Sequence, residues 1–201
     1  RFMYLLTFQN HGGYEQNDPE TDTINISTDL GQYTDDVEEY LSSIQLSAES
    51  FCYLIEELSD SDRPVVVLMV GDHEPSFISE LPVSKKNYQS SIVQRIVPYF
   101  VWSNRERDRD LFSGVASLTD LVPMLMEAMD MPLSSYYRLI NELHQSVPVR
   151  TSDGLYYDAD GNEINMHSGN ERSDMVRDYY FMEYNNIKQD EDYLARLFES
   201  Y

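Results

Sequence analysis

The sequence predicts an α/β fold, a mainly parallel sheet flanked by helices, and three segments carry that expectation. Val65-Val66-Val67-Leu68-Met69-Val70 is an unbroken apolar run rich in β-branched residues, the pattern of a strand covered on both faces. Phe2-Met3-Tyr4-Leu5-Leu6-Thr7-Phe8 is a second strand-like run. Between them, Val37, Tyr40, Leu41, Ile44, Ala48, Phe51, Leu54, Ile55 and Leu58 recur at steps of three and four, the stripe of an amphipathic helix over residues 35–58. Strand, helix and buried strand in succession make a βαβ unit, whose crossover sets the two strands parallel.

The remaining elements follow in order. The first run ends in Gln9-Asn10-His11-Gly12-Gly13-Tyr14, where paired glycines permit a tight turn or a close approach to a ligand. Residues 15–32 are polar and predict a surface loop. Asp35, Asp36 and Glu38 crowd the first turn of the helix, where carboxylates favour the positive end of its dipole. Cys52 lies among Phe51, Tyr53, Leu54 and Ile55 and is expected to be a buried, inert thiol. Ser59-Asp60-Ser61-Asp62-Arg63-Pro64 stops the helix.

Beyond the Val65 run, residues 92–95 predict a short helix or extended lead-in, and Ile96-Val97-Pro98-Tyr99-Phe100-Val101-Trp102 a third strand, with Pro98 marking an edge or a strand start. Residues 103–110 are a charged loop. Leu118, Leu121, Val122, Leu125, Met126 and Met129 mark one helix, and residues 136–143 another. After Pro148 the character changes, dividing the chain into residues 1–148 and a closing segment, 149–201, packed on the same domain. Residues 156–164 predict a hairpin turning at Asp160-Gly161. Asp158 and Asp160 look like the start of a calcium loop, but no glutamate closes it at EF-hand spacing. Residues 172–198 predict a helical tail. The chain opens without an initiator Met and directly in a strand-like run, so it is expected to be the C-terminal part of a longer domain.

The charge balance narrows the function. With 36 acidic against 14 basic residues, the formal net charge is −22. Such a field repels phosphate backbones and anionic headgroups, which argues against nucleic-acid binding and polybasic membrane association. From Arg1 to Arg63 there are fourteen acidic residues and no intervening Lys or Arg. A single cysteine excludes an intrachain disulfide, and no stretch reaches the roughly 18 apolar residues of a membrane span.

Chemistry is expected where the Val65 run ends, at Gly71-Asp72-His73. In open α/β sheets ligands sit beyond the carboxyl ends of the strands, and a carboxylate beside an imidazole suits zinc, manganese or related ions. His11, at the end of the other strand-like run, is the natural companion. The alternative reading is structural: Asp72 capping a turn and His73 bonded to backbone. His144, after an apolar helical face, is expected at the surface or as a cap, and His167 in a loop; neither is assigned a role. There is no nucleophile elbow, no phosphate-cradling glycine loop and no Cys/His pair at catalytic spacing.

Residues 4–14, residues 67–73 with Pro75, residues 97–104 and Tyr136-Tyr137-Arg138 occur in an order and spacing that resembles the C-terminal part of the extracellular catalytic domain of lipoteichoic acid synthase and related membrane-anchored phosphoglycerol transferases. That group belongs to the sulfatase and alkaline phosphatase superfamily. The resemblance implies that Asp72 and His73 hold a catalytic divalent ion, usually manganese, and that His11, with Asn10 beside it, contacts the phosphoglycerol group. It implies that the family's nucleophilic threonine, a further acidic ligand and the transmembrane helices precede the matched segment, so this chain alone would be inactive. The full enzyme would displace diacylglycerol from phosphatidylglycerol at the outer face of the bacterial membrane and pass phosphoglycerol to an acceptor hydroxyl of a lipoteichoic acid-like polymer. A sulfatase or phosphodiesterase of the same fold, or a noncatalytic interaction domain on the same scaffold, are the alternatives.

Overall fold

The computed structural model describes residues 1–14, 21–81, 95–106, 112–188 and 198. The chain divides into two compact units, Arg1–Arg105 and Glu106–Tyr201. The expected lead-in at 92–94, and Leu194 and Leu197 of the tail, lie outside the described residues.

In the first unit, the three- and four-residue periodicity produces α1 (Thr34–Ser59), within a residue of the expected bounds at each end. β1 (Val66–Val70) and β2 (Tyr99–Ser103) form a two-stranded ladder. Its register, Val66 opposite Ser103 and Val70 opposite Tyr99, is antiparallel, which corrects the parallel pairing expected of these runs. β2 begins beside the end of β1, so the chain reverses direction, whereas a parallel neighbour needs a crossover back to the starting end. Run composition reports how a strand is covered and says nothing of its partner's direction. The coverage is also thinner than expected: Val66, Val67 and Leu68 are half-buried while Met69 and Val70 are exposed.

Residues 2–8, expected to be a strand, carry no ladder among the described residues, and Phe2, Met3, Tyr4, Leu5, Leu6 and Phe8 are all exposed. Strand propensity is mostly a fit to a pleated neighbour and has nothing to act on without one. Cys52 is likewise exposed, a correction to the buried thiol: it sits on the margin of the α1 stripe, beside a shallow apolar groove between α1 and β2 lined by Phe51, Ile55, Phe100 and Trp102. Phe51 meets Phe100 edge-on at 4.7 Å, which is how α1 packs on the sheet.

Asn104, just past β2, fastens the turn from α1 into β1. Its Nδ2 donates to the carbonyls of Ser61 (3.0 Å) and Arg63 (2.9 Å), and its Oδ1 accepts from Val65 N–H (2.8 Å). Three polar groups of an irregular turn are thus satisfied by a single carboxamide.

The second unit holds α2 (Leu118–Ala128), α3 (Ser135–Ser146), the short strands β3 (Val149–Arg150) and β4 (Tyr156–Tyr157), and α4 (Glu171–Lys188). Leu143, Val147, Tyr156 and Val176 are its core, flanked by Ile164, Met166, Met175 and Tyr179. Each helix start has a chemical cause: Asp120 accepts from Ser117 N–H in a capping box, Ser134 Oγ accepts from Tyr137 N–H, and Asn170 and Ser173 exchange side-chain and backbone bonds. β3 and β4 pair antiparallel, and Tyr157 bridges to Glu163 across the expected turn. Asp158 organises that turn as an acceptor. Its carboxylate takes the N–H groups of Asp160 and Asn162, the Asn162 amide and the Arg172 guanidinium. The turn reading of 158–163 therefore holds.

His144, expected at the surface or as a cap, instead joins a buried polar knot. Its Nδ1 lies 2.9 Å from Asp120 Oδ2, and Asp120, fully buried, also pairs with the Arg150 guanidinium. Arg150 reaches Val147 O and Thr119 Oγ1 and stacks over the Tyr179 ring, 5.2 Å from its centroid. The knot ties the start of α2, the end of α3, β3 and α4 together.

Three outcomes follow from these contacts. Asn104→Ala removes three hydrogen bonds at once and should destabilise by about 2 kcal/mol, read as a urea-midpoint shift without loss of helical circular dichroism. Arg150→Met strands the Asp120 carboxylate and should cost about 3–5 kcal/mol, whereas Asp120→Leu combined with Arg150→Met should recover much of it; equal losses would refute the pairing. Hydrogen bonds from Asn162 and Asp160, with the Arg172 charge, hold the Asp158 carboxyl below its ordinary value. Because the folded value is depressed, its contribution is full above about pH 5 and is lost as pH falls below about 4. The stability gap between the parent and Asp158→Asn should therefore shrink on acidification, and parallel urea midpoints down to about pH 2.5 would refute this.

Candidate metal centre

Asp72 and His73 leave β1 at its carboxyl end, in the position expected of ligand-binding residues. Gly71 places them by close approach: its N–H donates to Pro98 O at 3.0 Å, and a Cβ there would stand 3.3 Å from Val97 Cβ. Its backbone does not take the left-handed conformation, so the glycine serves contact with the Val97-Pro98 segment and no sharp turn is needed.

The two side chains are open to solvent, with 74% of Asp72 and 69% of His73 exposed. Asp72 Oδ1 accepts from His73 N–H at 2.9 Å, the capping bond expected of the structural reading, and leaves Oδ2 turned toward the ring. His73 Nδ1 lies 2.8 Å from Glu74 O. A carbonyl only accepts, so Nδ1 carries the proton and Nε2 of the neutral ring presents a lone pair. Nε2 and Asp72 Oδ2 are 3.6 Å apart. Both could reach a single ion, since bonds of roughly 2.1 Å allow donors up to about 4.2 Å apart. The donor set thus fits a borderline divalent cation.

His11 repeats the same local device. Its Nδ1 is 3.3 Å from Gly12 O, so Nε2 is again the free nitrogen, and the ring lies 6.0 Å from that of Phe8. Gly13, at φ +123, turns the chain directly after it, a conformation a side chain would strain. Asn10 is spoken for on two sides: its Oδ1 accepts from Ser47 Oγ (2.9 Å), and its carbonyl accepts from Tyr14 OH (2.7 Å). Among the described residues no three His, Cys, Asp or Glu side chains group closely enough to hold a metal ion, so His11 does not complete a three-ligand shell with Asp72 and His73.

What the two loops share is an aromatic contact that sequence reading did not single out. Tyr14 and Phe77 are buried and meet edge-on at 5.3 Å, and Tyr40 of α1 meets Tyr14 at 5.7 Å and Phe77 at 5.8 Å. Tyr14 lies three residues after His11, and Phe77 four after His73, in the short 3-10 helix Ser76–Glu80. The usable signal was an aromatic residue close behind each candidate ligand loop. Burial, with the neighbouring Tyr40 and Glu39 charges, raises the Tyr14 phenol above its ordinary value, so it stays a hydrogen-bond donor to Asn10. His144 and His167 stand elsewhere, in the second unit, His144 committed to Asp120 and His167 in an exposed loop.

Comparison with known proteins bears on the family and the fold. The sulfatase family model matches residues 1–131. A protein of Rhizobium meliloti (strain 1021) named for cyclic beta-1,2-glucan modification is 24% identical over 115 residues, which are 52% of this chain and 18% of that protein. The fold is shared with the phosphoglycerol transferase GacH of Streptococcus pyogenes in complex with sn-glycerol-1-phosphate, with a TM-score of 0.63 at 18% identity over 96% of this chain and 46% of that one. The chain therefore spans less than half the length of either. No helix among the described residues is long and apolar enough to cross a membrane. With two thirds of its length inside the family model and its fold shared with a phosphoglycerol transferase, the chain belongs to the sulfatase family.

Proposed function

We propose that this chain forms one wall of the active site of a divalent-metal-dependent phosphoglycerol transferase, with Asp72 and His73 as metal ligands and His11 and Asn10 facing the phosphoglycerol group. The observation that carries the reading is the Asp72-His73 pair: an imidazole whose tautomer is set by Glu74 O, with its free Nε2 3.6 Å from a carboxylate oxygen. Manganese is the ion the family resemblance favours, and when bound it would withdraw charge from phosphoryl oxygens and acidify a coordinated hydroxyl.

The chain's own groups supply the rest. His11 Nε2, bare in the neutral ring and protonated on demand, can accept or donate one hydrogen bond at a phosphoryl or glycerol oxygen. Asn10 retains its Nδ2 donors for the same group once Oδ1 is occupied by Ser47. The nucleophilic threonine and the remaining metal ligands are assigned to residues preceding Arg1 in the full-length protein, together with the membrane anchor that would set the enzyme at the outer membrane face. Phosphatidylglycerol is the proposed donor. The glucan-modifying relative and the glycerol phosphate seated in GacH favour a hydroxyl of a cell-envelope glycan or glycerol-phosphate polymer as the acceptor.

The test uses the full-length protein with fluorescent phosphatidylglycerol and manganese. His73→Ala should weaken manganese binding by about 100-fold or more and bring diacylglycerol release to background. Because the side chain is exposed, the melting temperature should move by no more than about 2 °C. Undiminished release by the variant would refute the assignment, and release of sulfate from an aryl sulfate instead would move the enzyme to the sulfatase branch.

A further inference from the structure

We infer that Tyr14, Tyr40 and Phe77 are positioning residues that hold the His11 loop against the Asp72-His73 segment, so that a phosphoryl ligand can be gripped by the metal pair and by His11 together. The inference rests on the metal-centre reading above and adds to it the part that brings its two halves together.

Four observations carry it. Among the described residues of the first unit the buried ones are Tyr14, Ser42, Pro75 and Phe77, so two of the three rings and the proline leading into Phe77 are its core there, while the sheet stays accessible. The three rings contact one another edge-on at 5.3 to 5.8 Å with interplanar angles of 77° to 80°, a mutual arrangement in which moving one ring breaks two contacts. Tyr14 OH closes the loop on itself by donating to Asn10 O across His11. Finally, Ser47, two helical turns beyond Tyr40 on the same face of α1, donates to Asn10 Oδ1, so the loop is held at both ends by one rigid element.

The geometry separates two functions. Asp72 and His73 are placed by β1 and by the Gly71 contact with Val97 and Pro98, and would keep their mutual spacing if the rings were removed. Among the described residues His11 has no paired strand behind it, and its loop is held to the rest of the unit through Tyr14 and the Ser47 bond to Asn10. Loss of a ring should therefore leave the metal in place and loosen only the imidazole that meets the ligand.

The experiment is a pair of titrations on the full-length protein: manganese alone, followed by paramagnetic resonance, and sn-glycerol-1-phosphate to the manganese-loaded protein. Phe77→Leu should leave manganese affinity within about twofold and weaken sn-glycerol-1-phosphate by about tenfold or more. Tyr14→Phe, which keeps the ring and loses only the bond to Asn10, should be intermediate, and Tyr14→Leu should match Phe77→Leu. Should Phe77→Leu unfold the protein, the Tyr14→Phe and Tyr40→Leu titrations decide the same question. Manganese and sn-glycerol-1-phosphate weakening by the same factor, or neither changing, would overturn the positioning role. Failure of His73→Ala to weaken manganese would instead overturn the metal-centre reading, so the two failures are told apart.

Discussion

The edge-to-face packing of Tyr14, Tyr40 and Phe77 is the contact on which the organisation of the first unit depends. α1 is about 39 Å long, and on its own it would fix nothing but a line. Tyr40 and Ser47 take hold of the His11 loop, Tyr40 takes hold of the segment after His73, and Phe51 takes hold of β2 through Phe100. One helical face thus sets the spacing of three elements distant in sequence. Burying such rings contributes roughly 1.5–3 kcal/mol apiece, more than any exposed contact of the candidate ligands themselves can supply. The candidate ligands are left in solvent, and the contacts that order their loops lie a few residues away.

The second unit is organised by a different interaction. Its centre is a fully buried carboxylate, Asp120, with a guanidinium, an imidazole and a backbone N–H around it. Such knots are justified by specificity more than by net energy, since an apolar replacement of equal volume is often as stable. Here the directionality of the bonds specifies how two helix ends and a short strand meet, which apolar contacts alone would leave adjustable. The Tyr136 phenol, pushed up by burial and by the adjacent Glu183 carboxylate to which it donates, is a smaller instance of the same design.

Exposed aromatic and aliphatic side chains are concentrated in residues 2–8, and Met69, Val70 and Phe100 of the ladder are exposed as well. A two-stranded ladder with one helix is less cover than an α/β sheet ordinarily has, and the chain spans less than half of the relatives it matches. The run that reads as a central strand in sequence stands exposed in the structure and pairs with no strand among the described residues.

Local information was legible in the sequence wherever the cause is local. Periodicity located α1, α2 and α3, the Asp160-Gly161 pair located the hairpin, and the strand-end Gly-Asp-His located the candidate ligands, because each depends on neighbours within about one helical turn or one strand repeat. What only the tertiary structure decided were pairings across long separations. The antiparallel direction of β2, the exposure of Cys52, the commitment of His144 to Asp120 and the meeting of Tyr14, Tyr40 and Phe77 each join residues whose contact no pattern along the chain encodes. Composition establishes that a residue prefers burial or a partner; which partner it finds depends on how the whole chain closes its loops, a nonlocal choice whose entropy cost is common to all alternatives and whose winner is selected by packing.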